Sequence, residues 1–157
     1  MALETGINAP DFKGITDEEK EVTLDDLKGK WTVLYFYPKD NTPGCTKEAC
    51  SFRDLNEEIQ EEGARVYGVS PDSVKSHKNF KEKHNLNFPL ISDPEKDILQ
   101  KYDAYGEKKM FGKTKMGVIR STYIIDPEGE IKAKWSNVKV KDHTEKVLDK
   151  LKKLKGE

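Results

Sequence analysis

The sequence has no long apolar run and no sign of a targeting segment. None of its hydrophobic stretches approaches the roughly 18 residues that a transmembrane helix needs. A basic region followed by an apolar core is also missing at the beginning of the sequence. We therefore expect a cytoplasmic protein that does not interact with membranes.

The sequence also lacks an excess of either charge. Its 28 Lys and Arg residues nearly balance its 29 Asp and Glu residues, which gives a net charge of −1. Binding to nucleic acid depends on a concentration of positive charge that neutralises phosphates. The balance of charges therefore argues against a nucleic-acid partner.

Side chains that could bind a metal are scarce. The sequence contains only two cysteines, Cys45 and Cys50, and three histidines, His77, His84 and His143. The cysteines have C-x4-C spacing, but neither a second cysteine pair nor two histidines at the H-x3–5-H spacing of typical zinc sites accompany them. We therefore expect no metal and no cofactor, and we interpret each histidine as a solvated helix residue.

Internal repeats, low-complexity segments and linkers are missing too, so we expect one domain over residues 1–157. Strand-like and helix-like segments alternate early in the sequence, and a strand hairpin and a helix follow. This order predicts an α/β fold with a central mixed sheet and helices on both faces. After an initial segment over 1–20, the predicted strands are 22–24, 31–37, 64–70, 88–92, 119–125 and 130–135. The predicted helices are a short helical turn near 25–28, a helix between Thr42 and Gly63, and helices over 71–84 and 98–102. A closing helix starts with a capping box of Asp142 and Glu145. Residues 103–117 are predicted to be a loop.

The two cysteines follow the point where a predicted buried strand gives way to a helix. Residues 31–37 form a continuous run rich in apolar β-formers, which predicts a central strand that Pro38 ends. Thr42 is then the predicted N-cap, Pro43 is the first helical residue, and Cys45 lies in the first turn. Such junctions often hold the chemistry of α/β proteins.

Cys45 is a candidate nucleophile. A cysteine attacks as the thiolate, and the unpaired N–H groups and the dipole at a helix N-terminus favour negative charge. A close pair of cysteines in the reducing cytosol is more often catalytic, redox-sensing or metal-binding than a structural disulfide. The residues alone also permit another interpretation, in which both cysteines are buried as small apolar side chains.

The spacing of Cys45 and Cys50 limits how they can react with each other. On an ideal helix their Cα atoms would be about 8–9 Å apart, and their side chains would point about 140° apart around the axis. A disulfide requires Cα atoms within roughly 7 Å. If the two cysteines form a bond, the helix that carries them must therefore unwind locally.

Pro38, Thr42 and Cys45 together form the motif P-x3-T-x2-C, within the stretch FYPKDNTPGCTKEACSFRD. This stretch resembles the active-site signature of the peroxiredoxins, and in particular that of the peroxiredoxin Q subgroup, also called bacterioferritin comigratory protein. The resemblance extends over most of the chain, because it also covers Pro10-Asp11-Phe12, VSPDS at 69–73, residues 105–126 and the closing helix. It implies a thioredoxin-like fold.

The resemblance also implies a thiol-dependent peroxidase that reduces hydrogen peroxide and organic hydroperoxides. Cys45 would be the peroxidatic cysteine, whose thiolate attacks the peroxide and becomes a sulfenic acid. Thr42 would hydrogen-bond the peroxide, Pro38 would shield the sulfur, and Arg120 would hold the thiolate. Cys50 matches the resolving position and would form an intramolecular disulfide with Cys45, which thioredoxin or a similar dithiol protein would reduce. Because this subgroup is often monomeric, we expect a monomer or weak dimer.

Two other functions remain open from the residues. In a redox-switched interaction protein, oxidation of Cys45 would reshape a binding surface without catalytic turnover. In a disulfide carrier, the two cysteines would exchange a disulfide with partners, but the x4 spacing disfavours this function. Thr42 and Arg120 beside Cys45 favour catalysis, because a sensor does not need a peroxide pocket. Glu48, one turn from Cys45, could orient Arg120.

We expect oxidation by peroxide to lower the far-UV helicity of the protein and to raise amide hydrogen exchange between Thr42 and Asp54. The physical reason is that a Cys45–Cys50 bond cannot form while the helix is intact. Circular dichroism and hydrogen exchange of the reduced and oxidised protein measure the change. Cys50→Ser is the control, since it cannot form the bond. Identical exchange in the two redox states of the unsubstituted protein would contradict the unwinding.

Overall fold

The structure, a computed structural model, describes residues 4–110 and 112–156. The strands in these ranges are β1 (Lys13–Thr16), β2 (Glu21–Thr23), β3 (Trp31–Phe36), β4 (Ala64–Ser70), β5 (Leu90–Ser92), β6 (Tyr105–Met110), β7 (Lys113–Val118), β8 (Ser121–Ile125) and β9 (Ile131–Trp135). The helices are α1 (Leu24–Leu27), α2 (Pro43–Glu61), α3 (Val74–His84), α4 (Asp97–Lys101) and α5 (His143–Gly156). None of these helices is long and apolar enough to span a membrane. The described residues also contain no group of three or more His, Cys, Asp or Glu side chains that could hold a metal ion.

Seven of these strands form one mixed sheet in the order β2-β1-β5-β4-β3-β8-β9. β3 pairs in parallel with β4, and β4 pairs in parallel with β5. The pairs β1–β2, β1–β5, β3–β8 and β8–β9 are antiparallel. The predicted α/β class with a central mixed sheet is therefore confirmed.

Helices cover both faces of the sheet, and the side chains of β3 and the residue after it alternate between the two faces. Val33, Tyr35 and Tyr37 belong to one apolar cluster, which includes residues of α2, α3 and α5. Leu34 and Phe36 belong to a second cluster, which includes residues of α1 and α4. Successive residues of a strand point to opposite faces, so β3 is covered on both sides. This explains its continuous apolar run and confirms the prediction of a central strand.

The start of α2 agrees with the sequence, except for the role of one side chain. Thr42 occupies the N-cap position with extended backbone (φ −89°, ψ 153°), and Pro43 is the first helical residue. The Thr42 hydroxyl does not cap the helix but donates to the carbonyl of Lys39 at 2.8 Å. After the helix, Gly63 has a φ of +76°, which favours glycine over other residues.

The prediction of a loop over residues 103–117 is wrong. Here β6 and β7 pair as an antiparallel hairpin that forms a separate two-stranded sheet. Residues 113–116 are all exposed, so β7 has no buried face along most of its length and its sequence shows no period of two. Phe111, between the two strands, lies outside the described residues.

Two further predictions differ from the structure. The initial segment contains β1, whose buried positions are Gly14 and Thr16 while the apolar Ile15 is exposed. Its pattern of burial is therefore the reverse of its pattern of hydrophobicity. Asp142 was the predicted N-cap of α5, but its φ of +59° is left-handed rather than the extended backbone of an N-cap.

The prediction that the histidines are solvated is wrong for two of the three. His77 and His143 are buried, and His84 is partly exposed. His143 packs edge-on against the ring of Phe52, and its Nε2 lies 2.8 Å from the hydroxyl oxygen of Thr122. Burial lowers the pKa of His143 to about 4, so its ring is neutral near pH 7. A polar helical sequence does not reveal which of its faces the sheet will cover.

Gly68 in β4 lies tightly against core side chains. A Cβ atom at this position would lie 2.9 Å from Leu90 Cδ2 and 2.9 Å from Tyr35 Cζ. Because both side chains are buried, we expect Gly68→Ala to lower the free energy of unfolding by about 1–3 kcal/mol. Gly156→Ala is the control, since a Cβ at Gly156 meets nothing within 4 Å. Urea denaturation measures both variants, and an unchanged midpoint for Gly68→Ala would contradict the close packing.

Candidate active site

The two cysteines lie on α2, which begins beyond the carboxyl end of β3. Cys45 is 1% exposed, Cys50 is partly exposed, and both are free thiols. Because α2 is continuous over Pro43–Glu61, it keeps the Cα atoms of the two cysteines about 8–9 Å apart. A disulfide between them cannot form in this conformation.

Arg120 reaches the sulfur of Cys45 from a distant part of the chain. Its Nη2 donates to Cys45 Sγ at 3.2 Å, and its Nη1 donates to Glu48 Oε1 at 2.6 Å. Arg120 lies directly before β8, whose first residue is Ser121, so the strand predicted from residue 119 begins later. The backbone N–H of Val138 donates to the Arg120 carbonyl at 3.0 Å and holds this segment in place.

Glu48 places a buried carboxyl group beside Arg120. Its side chain has no exposed surface, and its Oε2 atom has no hydrogen-bond partner in the described part of the chain. Burial raises the pKa of Glu48 to about 7, although the Arg120 guanidinium opposes this shift. Burial by itself would lower the pKa of Arg120, but the Glu48 carboxylate and the Cys45 sulfur outweigh it and raise that pKa above its ordinary value. Arg120 is therefore a permanent cation between the two groups.

This arrangement places a fixed positive charge beside the sulfur of Cys45. The guanidinium of Arg120 keeps its proton at any working pH, so it supports negative charge on the sulfur without titrating. The free N–H groups in the first turn of α2 act in the same direction. The hydrogen bond from Arg120 to Glu48 fixes the orientation of the guanidinium, which supports the hypothesis from the sequence. The site thus holds the sulfur of Cys45 and a cation in a fixed arrangement.

Pro38 and Thr42 lie on the segment between β3 and α2. Both are half-buried, and the Thr42 carbonyl accepts a hydrogen bond from the N–H of Thr46 at 2.8 Å. The Thr42 hydroxyl donates to the Lys39 carbonyl, and its oxygen can still accept a hydrogen bond from another group. The structure therefore places Thr42 in the turn that leads to Cys45.

The sequence analysis missed a buried polar cluster behind this segment. The carboxyl group of Asp40 accepts hydrogen bonds from the hydroxyl groups of Tyr37 and Ser76, and it lies 2.7 Å from Nδ1 of His77. The position of the polar residues along the chain could have revealed the cluster. Asp40 follows β3 and Asp72 follows β4, and polar residues after neighbouring parallel strands meet at one edge of the sheet. The backbone N–H of Asp40 does donate to Asp72 Oδ2, at 2.7 Å.

The sequence matches known proteins over almost its whole length. The model of the AhpC/TSA family matches residues 5–134, so the chain belongs to this family. Within the family its relatives are peroxiredoxins of the peroxiredoxin Q, or Bcp, group. The chain is 51% identical over 154 residues to peroxiredoxin Bcp of Bacillus subtilis strain 168, with 98% of each chain covered.

Two further proteins give the same result. The putative peroxiredoxin bcp of Coxiella burnetii is 49% identical over 151 residues, which cover 96% of this chain and 100% of that protein. The solved structure of bacterioferritin comigratory protein from Xanthomonas campestris is similar with a TM-score of 0.91 at 40% identity, over 97% of this chain and 99% of that chain. The Xanthomonas structures are of trapped intermediate and ligand complexes, and they address the alkyl peroxide reduction activity of that protein. The predicted thioredoxin-like peroxiredoxin fold is confirmed.

Glu48 makes the stability of the protein depend on pH. Its pKa rises from 4.5 to about 7 in the folded protein, so between these values the folded state holds a proton that the unfolded state has lost. The group therefore contributes stability that is complete below pH 4.5 and is lost as the pH rises through about 7. We expect Glu48→Gln, which cannot ionise, to gain about 2–3 kcal/mol relative to the unsubstituted protein over this range.

Urea denaturation in steps from about pH 4 to about pH 8 measures this difference. Glu57→Gln is the matched control, because Glu57 is an exposed carboxylate on the same helix. The difference in free energy of unfolding between Glu57→Gln and the unsubstituted protein should stay nearly constant over the range. A constant difference for Glu48→Gln as well would show that Glu48 is not a perturbed carboxyl group.

Proposed function

We propose that this chain is a thiol-dependent peroxidase that reduces hydrogen peroxide and organic hydroperoxides. The observation that carries the proposal is the 3.2 Å contact between Arg120 Nη2 and Cys45 Sγ in the first turn of α2. It brings a fixed cation to a cysteine that the helix N-terminus already favours as a thiolate. Membership of the peroxiredoxin Q group supports the same chemistry, as does the alkyl peroxide reduction of the Xanthomonas campestris relative.

The reaction begins at the sulfur of Cys45. Its thiolate attacks one oxygen of ROOH, and an S–O bond forms while the O–O bond breaks. The sulfur is oxidised to a sulfenic acid, and RO⁻ leaves and takes a proton to become ROH, or water when the substrate is hydrogen peroxide. Negative charge spreads over S, O and O in the transition state, where the Arg120 guanidinium is already in place. Preplaced donors of this kind contribute about 10²–10³-fold to a rate.

Two residues of the segment before α2 complete the peroxide pocket. The Thr42 hydroxyl hydrogen-bonds the peroxide and orients it for in-line attack, a role that is compatible with its place in the turn leading to Cys45. Pro38 directly follows the buried residues 32–37 and shields the sulfur from water. Pro38 also lacks an N–H group, so it offers no competing donor to the peroxide.

The second half of the reaction uses Cys50. Its thiolate attacks the Cys45 sulfur of the sulfenic acid, an S–S bond forms, and the hydroxide that leaves is protonated to water. α2 must unwind between the two residues for this step, because the intact helix keeps them apart. A thioredoxin-type dithiol protein then reduces the bond by two exchange steps and becomes oxidised itself, and α2 re-forms.

The proposal includes the setting of the reaction. The enzyme acts in the cytoplasm as a monomer or weak dimer, with a peroxide as substrate, a thioredoxin-type protein as reductant, and no nucleic acid, membrane or cofactor as partner. The resemblance to peroxiredoxin Q proteins supports this setting. A redox-switched interaction protein is the alternative. It needs only an oxidisable cysteine, whereas the ion pair of Arg120 and Glu48 beside Cys45 supports a site built for turnover.

Peroxide consumption tests the function in the unsubstituted protein, Cys45→Ser and Cys50→Ser, each with dithiothreitol and with thioredoxin plus thioredoxin reductase. We expect turnover with both reductants in the unsubstituted protein. Cys45→Ser should lose turnover by about three orders of magnitude or more, because it lacks the nucleophile. Cys50→Ser should still be oxidised once by peroxide but should fail to cycle with thioredoxin.

The serine variants separate the possible outcomes. Peroxidase activity retained in Cys45→Ser would refute the assignment of the nucleophile. Oxidation of Cys45 without turnover in the unsubstituted protein would favour the redox-switched interaction protein. Undiminished thioredoxin-driven cycling in Cys50→Ser would remove Cys50 as the resolving residue and leave the first half of the mechanism intact.

A further inference from the structure

Asp40 is the centre of a buried hydrogen-bond cluster between β3 and α2. Its Oδ1 accepts from the Tyr37 hydroxyl at 2.6 Å. Its Oδ2 accepts from the Ser76 hydroxyl at 2.8 Å and lies 2.7 Å from Nδ1 of His77. The side chains of Asp40 and His77 are 1% and 0% exposed. Both residues lie outside the contacts that Cys45 makes with Arg120.

The His77 ring is held by hydrogen bonds at both of its nitrogens. Its Nε2 lies 3.0 Å from the carbonyl oxygen of Ile91, which can only accept, so Nε2 carries a proton. Its Nδ1 faces Asp40, whose two oxygens also accept from Tyr37 and Ser76. The 2.7 Å separation of His77 Nδ1 and Asp40 Oδ2 is that of a hydrogen bond. The cluster is therefore a buried pair of side chains whose polar atoms all have hydrogen-bond partners.

The backbone of Asp40 is held as firmly as its side chain. Its N–H donates to Asp72 Oδ2 at 2.7 Å, and the same oxygen accepts from the Ser70 hydroxyl at 2.8 Å. The Asp72 carbonyl in turn accepts from the hydroxyl of Ser92, the last residue of β5. Asp40 is thereby connected to β4, β5 and, through His77, α3. β4 and β5 are strands of the sheet, and α3 packs against the sheet. The contacts of Asp40 therefore do not depend on α2.

The residues that follow Asp40 are held much less firmly. Asn41 is exposed and has a left-handed φ of +62°, Pro43 is exposed and has no N–H group, and Gly44 has no side chain. The Thr42 side chain does not cap α2. A helix end without a side-chain cap opens more readily than a capped one. The change from a firmly held to a weakly held backbone therefore falls directly after Asp40.

We propose that Asp40 and His77 are positioning residues for the unwinding of α2. They fix the backbone at Asp40, which forms a hinge at the N-terminal side of the segment that unwinds. The inference rests on the proposed function, since the unwinding serves the disulfide between Cys45 and Cys50. Asp40 stays in place on the sheet while the backbone after it opens. Because the hinge at Asp40 does not move, Pro38 keeps its position. The first turn of α2 also returns to Arg120 after the disulfide has been reduced.

This role predicts that the two chemical steps respond in opposite directions when the cluster is broken. A loosened hinge misplaces the first turn of α2 relative to Arg120 in the folded state, so the reaction of Cys45 with peroxide slows. The same loosening makes the unwound state easier to reach, so formation of the Cys45–Cys50 bond after oxidation becomes faster. A role in stability alone does not produce this pair of opposite changes at temperatures well below unfolding.

The test compares His77→Gln with the unsubstituted protein, and His84→Gln is the matched control on the same helix. His84 is partly exposed, and its ring contacts Phe80 rather than Asp40.

In the reduced protein, we expect His77→Gln to raise amide exchange about tenfold or more over residues 41–50 and to leave β9 and α5 unchanged. By stopped flow, peroxide oxidation of Cys45 should slow by about tenfold and disulfide formation should become faster.

The results of the exchange and stopped-flow measurements either support the hinge or overturn it. Exchange that rises evenly over the whole chain, or two chemical steps that slow together, would mean that His77 acts only on global stability and would overturn the hinge. If His77→Gln does not fold, Ser76→Ala removes one donor to the same carboxylate and should show the same changes at smaller size. A protein with local exchange as expected but no peroxide consumption would refute the proposed function while supporting the hinge.

Discussion

The helical backbone between Cys45 and Cys50 is the constraint on which the rest of the structure depends. Hydrogen bonds along α2 keep the two thiols too far apart for a disulfide. The same helix places Cys45 in a first turn whose free N–H groups favour a thiolate. In the proposed mechanism, one element therefore both favours the reactive form of the sulfur and keeps it apart from Cys50. The proposed reaction requires this element to open and close once in each cycle.

The sheet supplies the fixed frame against which such an element can move. β3 is buried on both faces and leads directly to the segment before α2. Arg120 directly precedes the neighbouring strand β8, and its guanidinium lies between a carboxyl group and a sulfur on α2. Because these contacts join α2 to the sheet only through side chains, they can break and re-form without changing the sheet.

Segments with a buried apolar face were predictable from the sequence, and segments without one were not. The apolar run over residues 31–37 and the strand over 64–70 agree with β3 and β4, because burial on both faces selects apolar β-formers. The hairpin of β6 and β7 was predicted as a loop, since most of β7 faces solvent. His77 and His143 were interpreted as solvated because periodicity in a highly charged helix does not reveal which polar residues are covered.

The sequence by itself determined the local part of the site: a strand that ends at Pro38, a helix that begins at Pro43, and two cysteines too far apart on that helix to bond. These follow from backbone preferences and helical geometry over a few residues. The resemblance to peroxiredoxins pointed to Arg120, but only the tertiary structure decided that it contacts Cys45 and Glu48 and that Asp40 pairs with His77. These contacts join residues that are 37 to 75 positions apart, so they exist only because the strand order of the sheet brings distant segments together.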